Sequence, residues 1–311
     1  MTIPSKMQAA CCTAYGDPGV LQLKSLDVPQ ISSKQLLIRV YASSVNSGDV
    51  IVRALGGHQL QRLGIRLFLG WSRPRRSVLG VCYAGVVVAA GEQTSQFKVG
   101  DRVFGLTGFR FGCHAEYVAV NEKSCLSTLP AGASYEEAAA MLFGGQTAHY
   151  FLKKAGVLQN SELNILIYGA SGAVGTAAVQ MAKAYGHRVT AVCSDYNAPL
   201  VAALGADDLL FYNRPDWQLI KTRFEVVFDA VGKFSRQLAA PLLKQQGKYF
   251  SVASLDYASE KTEQLHFIQK LFEKGQLKAC IDKSYRLDEI ADAHRYVETG
   301  RKKGNVVLRM I

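Results

Sequence analysis

The chain has 311 residues, with 36 Lys and Arg against 25 Asp and Glu and a formal charge of +11. That length exceeds one typical small domain and makes two domains the natural expectation, and 49% hydrophobic residues allow a substantial core. The basic residues are scattered except for Arg62, Arg66, Arg73, Arg75 and Arg76. No nucleic-acid motif accompanies that cluster, so a solvated basic face fits it better than a nucleic acid or an anionic membrane.

In chain order, residues 7–130 read as β-rich. LLIRVYAS (36–43), GVVVAAG (85–91), KVGDRVFG (98–105) and HAEYVAV (114–120) are strand-like runs set apart by Gly, Asp and Pro. The segment 53–77 reads as loops. Leu129-Pro130 opens a change of character: residues 134–156 have a helical apolar period, and Ser134 with Glu137 makes a capping-box pattern. From 163 strands and helices alternate: LNILIY, a helix over 173–185, RVTAVCS (188–194), a helix over 198–204, DLLFYN (208–213), FEVVFDAVG (224–232), a helix over 234–244 and GKYFSVAS (247–254). Such alternation predicts a parallel, doubly wound sheet. Amphipathic helices follow at 258–276 and 287–300, the second closed by Gly300, and NVVLRMI is the last strand.

Seven cysteines are an odd number without a CxxC pair, and Cys11, Cys12, Cys82 and Cys193 fall in apolar runs. Buried thiols in a reducing compartment, the cytoplasm or alternatively an organelle, fit this best. MTIPSK does not read as a signal peptide, and the longest uncharged run, residues 78–91, is too short to span a bilayer.

The segment that carries most chemistry is LNILIYGASGAVG, residues 163–175. A strand breaks into glycines at 169, 172 and 175 and opens a helix. Gly169 permits the tight turn, Gly172 lets a pyrophosphate approach the backbone, and Gly175 lets the helix pack against the strand. Free N–H groups at the helix start face the phosphates. A glycine triplet alone is weak; here the strand, the helix and the second strand at 188–194 are all present.

From Met7 onward the chain resembles the medium-chain dehydrogenase/reductase superfamily, and within it the zinc-independent quinone oxidoreductases, zeta-crystallin-like proteins and alkenal reductases. The motifs, in order, include AYGDPGVLQL, ASSVNSGD, VLGVCYAGVVVAAGE, FKVGDRVFG, EEAAAMLFGGQTAHYFL, GASGAVGTAAVQMAK, LGADDLLFYN, FDAVG and AHRYVETGRKKGNVVL. The resemblance implies an α/β protein: a Rossmann doubly wound parallel sheet over 131–276, plus a GroES-like β-rich catalytic domain made from 1–130 and 277–311, with the active site in the cleft between them. It implies NADPH, with NADH the lesser candidate, and a small-molecule substrate. Cofactor contacts fall on Asn46, Thr147, Gly169, Gly172, Ala173, Val174, Gly175, Ser194, Asn197, Tyr212, Val231, Ser251 and Asn305.

Zinc-dependent relatives carry metal ligands where this chain has Asn46 and Val81-Cys82, and neither Asn46 nor Val81 holds Zn²⁺. Reduction of a quinone, or of the activated C=C bond of an enone or alkenal, is then the expected chemistry. Many relatives place a tyrosine five residues beyond the position of Asn46, which here is Ile51. Asn46 remains as the catalytic candidate, for a hydrogen bond to a carbonyl, without a certain proton donor. Asp49 reads as a loop cap.

Spacing from Gly175 puts an acid, Asp195, where NAD-binding chains grip the ribose. The resemblance shifts that position to the apolar Val192 and aligns Cys193–Asn197 with an NADP-binding segment, in which Tyr196 replaces the expected Lys or Arg and Asp195 opposes a phosphate. Arg214 is the compensating candidate. Close relatives also carry about two dozen more residues after GKYFSVAS, the last strand of a sheet that commonly pairs across a dimer, whereas LDYASEK is what remains here. A monomer, or a dimer on another surface, is expected. Two other readings stay open: a nucleotide-binding scaffold or regulatory protein with little catalysis, and a pathway-dedicated enoyl reductase.

Overall fold

A computed structural model describes residues 2–57, 59–214, 220–254, 256 and 258–310. Strand β1 (Lys6–Cys12) pairs antiparallel with β2 (Leu21–Asp27). Then come β3 (Gln35–Val45), α1 (Ser47–Ala54), α2 (Gln59–Leu69), β4 (Cys82–Ala90), β5 (Arg102–Leu106), β6 (Tyr117–Asn121), β7 (Cys125–Thr128) and α3 (Tyr135–Ala155). The middle of the chain supplies β8 (Asn164–Tyr168), α4 (Ala173–Ala184), β9 (Arg188–Cys193), α5 (Ala198–Ala203), β10 (Asp208–Phe211), β11 (Phe224–Asp229), α6 (Arg236–Ala239), β12 (Leu243–Ser251) and α7 (Thr262–Glu273). The chain ends with β13 (Ile281–Arg286), α8 (Ile290–Glu298) and β14 (Asn305–Arg309).

Two compact units result. The first holds Met1–Leu142, Glu260–Leu265 and Ile281–Ile311; the second holds Phe143–Ser259 and His266–Cys280. In the first unit a seven-stranded sheet runs β13-β14-β3-β4-β5-β7, with β6 also on β3. The long β3 makes this possible: residues 35–39 pair with β6 and residues 42–45 pair with β14. One core of this unit joins both chain ends, packing Val45, Val52, Leu79 and Phe111 against Leu287, Ile290, Val306 and Leu308. Burying those apolar side chains is what brings the C-terminal segment back to the N-terminal one.

The second unit is a five-stranded parallel sheet in the order β10-β9-β8-β11-β12. Ile165, Leu166, Ile167, Val189, Val192 and Val227 are fully buried. Their near-continuous apolar runs are what a sheet buried on both faces requires. Strand order reverses between β8 and β11, which is the position where open parallel sheets bind ligands beyond their strand ends. Among the described residues no strand extends this sheet beyond β12, although Leu255 and Tyr257 of the short segment after it lie outside them.

The capping box forms as its residues predict: Ser134 N–H donates to Glu137 at 2.9 Å and Glu137 N–H donates to Ser134 Oγ at 3.2 Å. Three expectations need correction. The stretch 53–77 is not all loop, because Gln59–Leu69 is helical; Gly64 at its centre, a residue that disfavours helix by about 1 kcal/mol, masks the apolar period of Leu60, Leu63 and Leu67. The helix expected over 234–244 is one turn, Arg236–Ala239, since Pro241 removes an amide and Leu243 already pairs with Phe224. The helix expected from 258 starts at Thr262.

Candidate functional site

The glycine turn is built on β8 and opens α4. Gly169 has φ +77°, and the Gly169 and Ala170 N–H groups both donate to the Val192 carbonyl, at 2.9 and 3.0 Å. A Cβ on Gly169 would lie 2.5 Å from Val231. A Cβ on Gly175 would lie 2.2 Å from the Gly169 carbonyl oxygen, so this glycine lets α4 pass close over the strand end. Gly144 of α3 acts in the same way: its Cβ would fall 2.3 Å from the Ala173 carbonyl oxygen. Sequence reasoning missed it, although the Gly-Gly pair inside a helical run was the signal.

Gly172 is different. Its φ is −81°, and a Cβ there would sit 3.5 Å from the Gly169 oxygen and 3.9 Å from Val231, ordinary contact distances. The protein's own packing does not need a glycine at 172. The amides of Ala173, Val174 and Gly175 start the helix and so lack intrahelical partners, and no side chain caps them. Uncapped amides beside a residue without a side chain suit a diphosphate, which gains both their hydrogen bonds and the helix dipole.

The neighbouring strand ends complete this edge. Asn197 donates its side-chain amide to Ser171 Oγ at 2.9 Å, tying the loop after β9 to the glycine turn. Ser194 starts the 3-10 turn Asp195–Asn197 with its hydroxyl not engaged as a cap. Asp195 Oδ1 accepts from Tyr196 N–H and Asn213 Nδ2, both at 2.9 Å, and Arg214 stands 4.0 Å from Oδ2. The Asp195 charge is thereby partly balanced within the loop, and Tyr196 points into solvent. Tyr212 follows β10, its ring 6.1 Å from that of Tyr168. Val231 is exposed beside the glycine turn, and buried Ser251 donates to Asp229 Oδ2 at 2.9 Å. Asp229 is buried and also accepts the N–H groups of Val231, Gly232 and Phe234 at 3.2, 2.9 and 3.0 Å. This residue, also not foreseen, shapes the turn after β11; its signal was an acid ending the apolar run FEVVFD. Thr147 lies one turn beyond Gly144, and its hydroxyl donates to the Phe143 carbonyl at 2.8 Å.

Asn46 and Asn305 belong to the first unit. Asn46 caps α1: its Oδ1 accepts from Gly48 N–H at 2.8 Å and Asp49 N–H at 3.3 Å, and its own N–H donates to Asp49 Oδ2 at 2.9 Å. The Asn46 Nδ2 donor is buried without a partner. Asp49 Oδ1 also accepts Gly80 N–H at 3.2 Å, so the expected capping role of Asp49 is observed and extends to a second loop. Burial raises the Asp49 carboxyl, against the opposing influence of His114. His114 Nε2 donates to the Ser44 carbonyl at 3.2 Å and its ring meets His294 edge-on at 6.0 Å. Burial lowers both histidines, His294 to about 2. Buried Arg53 donates to the Gly16 carbonyl at 2.6 Å and pairs with Glu298 at 3.1 Å. Asn305 is buried at the start of β14, opposite Ile281. Val81 offers only its carbonyl, taken by Thr107 N–H at 2.9 Å, and burial holds the Cys82 thiol far above its usual range. Among the described residues no three His, Cys, Asp or Glu side chains gather as a metal-binding group.

A glycine turn at the switch point of a parallel sheet, opening an uncapped helix, is the architecture of a dinucleotide-binding fold. The comparisons with known proteins narrow the class. The alcohol dehydrogenase GroES-like domain family matches residues 32–131 and the zinc-binding dehydrogenase family matches residues 254–308. A 2-methylene-furan-3-one reductase of Solanum lycopersicum is 34% identical, covering 100% of this chain and 81% of that one. The chloroplastic NADPH-dependent alkenal/one oxidoreductase of Arabidopsis thaliana is 31% identical, covering 99% and 80%. The structure of the quinone oxidoreductase from Coxiella burnetii superposes with a TM-score of 0.86 at 28% identity, covering 98% of this chain and 99% of that one. The chain belongs to the medium-chain dehydrogenase/reductase superfamily, in the branch of the quinone and alkenal oxidoreductases. It is an oxidoreductase that uses a nicotinamide cofactor, and a nucleotide-binding scaffold or regulatory protein with little catalysis is not the reading these relatives favour.

Proposed function

We propose that this oxidoreductase uses NADPH to reduce a quinone or the activated C=C bond of an enone or alkenal, and that it does so without zinc. The observation that carries the reading is the start of α4, with three amides free of intrahelical partners and a glycine at 172 that only a ligand requires. Gly169, Gly172, Ala173, Val174 and Gly175 would hold the diphosphate, with Val231 and Ser251 beside them. Ser194, Asn197, Tyr212 and Arg214 would face the 2′-phosphate, Arg214 supplying the cation that Tyr196 does not. Thr147, Asn46 and Asn305 remain the candidates for the nicotinamide end.

Bound there, NADPH supplies the hydride. The chain's own contribution is orientation and polarisation: the unpaired Asn46 Nδ2 is a donor suited to a carbonyl oxygen whose electron density rises as the β-carbon is reduced. No acidic side chain is assigned to the proton, which water delivers. The absence of zinc rests on chemistry at the ligand positions, since Asn46 Oδ1 is spent on the α1 cap and Val81 has no donor side chain. Free, mostly buried cysteines suit the reducing cytoplasm, and a polar β12 edge suits a monomer or a dimer built elsewhere.

The test is a screen of NADPH oxidation over quinones, alkenals and enones, with NADH in parallel and elemental analysis of the same sample. Turnover faster with NADPH, from protein without bound zinc, is expected. No oxidation with any acceptor, or activity that requires one tightly held zinc per chain, would overturn the reading.

A further inference from the structure

Helix α2 has no buried residue along its eleven positions, Gln59–Leu69. Isolated helices shorter than about 12–15 residues are marginal in water and depend on a packed apolar face. The most apolar face of α2 points away from the protein. Leu60, Leu63 and Leu67, at i, i+3 and i+7, share one side and are exposed; Leu60 and the adjoining Phe68 and Trp71 are 76%, 83% and 62% exposed. Gly64 on the same side has nothing within 4 Å of where its Cβ would be. Ile65 and Leu69 turn partly inward.

The charge around this face has one sign. No Asp or Glu occurs between Asp49 and Glu92, whereas Arg62, Arg66, Arg73, Arg75 and Arg76 do. Arg62, Arg73, Arg75 and Arg76 are exposed, and Arg66 lies over the Trp71 ring at 5.5 Å. Arg76 donates to the Arg110 carbonyl at 2.8 Å, which joins exposed Phe109 and Arg110 to the patch.

We propose that α2 and the following Trp71–Arg76 segment form a docking surface for an anionic lipid bilayer. A short amphipathic helix with Leu, Phe and Trp on one side and arginines flanking them lies in the headgroup region, its apolar side chains in the acyl boundary and its guanidinium groups on lipid phosphates. A nucleic acid would use the arginines but would leave the leucine row in water, so lipid accounts for both halves of the surface. The basic cluster that the sequence presents as a merely solvated face thus acquires a partner once the apolar row is seen beside it. Docking would set a reductase of apolar acceptors against the phase in which they dissolve; only that consequence rests on the proposed function, and the docking itself does not.

The experiment is co-sedimentation of the full chain with vesicles of phosphatidylcholine mixed with phosphatidylglycerol, against vesicles of phosphatidylcholine alone. Binding to the mixed vesicles is expected to exceed binding to the neutral ones at least tenfold and to weaken as salt is added. Phe68→Ser with Trp71→Ser should lower partition at least tenfold. Arg73→Gln with Arg75→Gln should lower it about 25-fold, roughly fivefold per arginine. All four side chains are exposed, so thermal unfolding should stay at the wild-type temperature. Absence of binding, equal binding to both vesicle types, or a pair of serines that changes nothing would overturn the proposal. So would a dimer in lipid-free buffer that Phe68→Ser with Trp71→Ser dissociates, because the occupant of the face would then be a second copy of the chain.

Discussion

The turns that open α1 and α4 treat the helix amides in opposite ways. At α1 the turn is Asn46-x-x-Asp49, and the two side chains close a reciprocal capping box over the first amides. At α4 the turn is Gly169–Gly172, and no side chain caps the amides of Ala173, Val174 and Gly175. Leaving such groups without a partner is costly, by about 1–3 kcal/mol for each one buried. At α4 the open amides stand beside a glycine that the protein's own packing does not need, and the two together suit a ligand. The same contrast separates the glycines: Gly175 and Gly144 are demanded by backbone within contact distance, whereas Gly172 is not.

The sharpest way to strain this contrast is Gly175→Ala. Its Cβ would meet backbone atoms at 2.2 and 2.7 Å that cannot swing aside. We expect a loss of about 3 kcal/mol or more of stability, read from denaturant unfolding. Stability within 1 kcal/mol of wild type would show that α4 and β8 are not in close contact.

At the closed turn, Asp49→Ala removes the acceptor of the Asn46 and Gly80 amides together. A destabilisation of about 2–4 kcal/mol is expected from two amides left unpaired, with the amides at the start of α4 untouched. If denaturant unfolding instead finds the stability kept while calorimetry finds the NADPH affinity lost, the Asp49 carboxylate serves the ligand rather than the two amides, and the contrast fails.

Acid sharpens the comparison further, because the first unit buries His114 and His294 near Asp49 and Arg53. Both histidines have folded pKa values below the unfolded value of about 6.5. The unfolded chain therefore takes up protons first as pH falls. Stability is full above pH 6.5 and declines below it, by about 2 kcal/mol for His294 at pH 5. Asp49, raised by burial, acts in the opposite direction: its contribution is full below its unfolded pKa and is lost as pH rises through its folded one, so it offsets part of the decline. Unfolding measured at pH 7 and pH 5 should show the drop in wild type and a smaller drop in His294→Leu. Identical drops would place the acid-sensitive groups elsewhere.

The smallest effect concerns the rim of the open turn. Tyr196 is exposed where a cation would meet a 2′-phosphate, so Tyr196→Arg should widen the NADPH preference over NADH by about ten- to a hundredfold, the worth of one charge-assisted contact of about 1.5–3 kcal/mol. A shift of kcat/KM toward NADH would mean that the loop 193–197 faces another part of the cofactor.

What was legible in the sequence follows from the range of the interactions. The strands of the second unit are continuous apolar runs bounded by glycine, and the Ser134–Glu137 box spans three residues, so both can be read from local pattern. The Asp49 cap was legible for the same reason, but its reach to Gly80 was not, because that bond joins residues 31 apart. The His114–His294 contact spans most of the first unit's sequence, and no local pattern announces it. Helix α2 was hidden by Gly64 and by arginines spaced like a loop, and its exposed apolar row exists only once the helix is formed. The shortened segment after β12 was legible as missing length, and a five-stranded sheet is what it leaves among the described residues.

The most direct measurement is a calorimetric titration of NADPH into wild type and Gly172→Val. A Cβ at 172 meets the protein at ordinary contact distances, and the methyl groups of a valine would fill the space beside the open amides. We expect one site per chain in wild type, a loss of affinity of at least a hundredfold in the variant, and unfolding within a few degrees of wild type (roughly 1 kcal/mol). Near-wild-type affinity in a folded Gly172→Val protein would contradict the claim that the open start of α4 is the cofactor's seat.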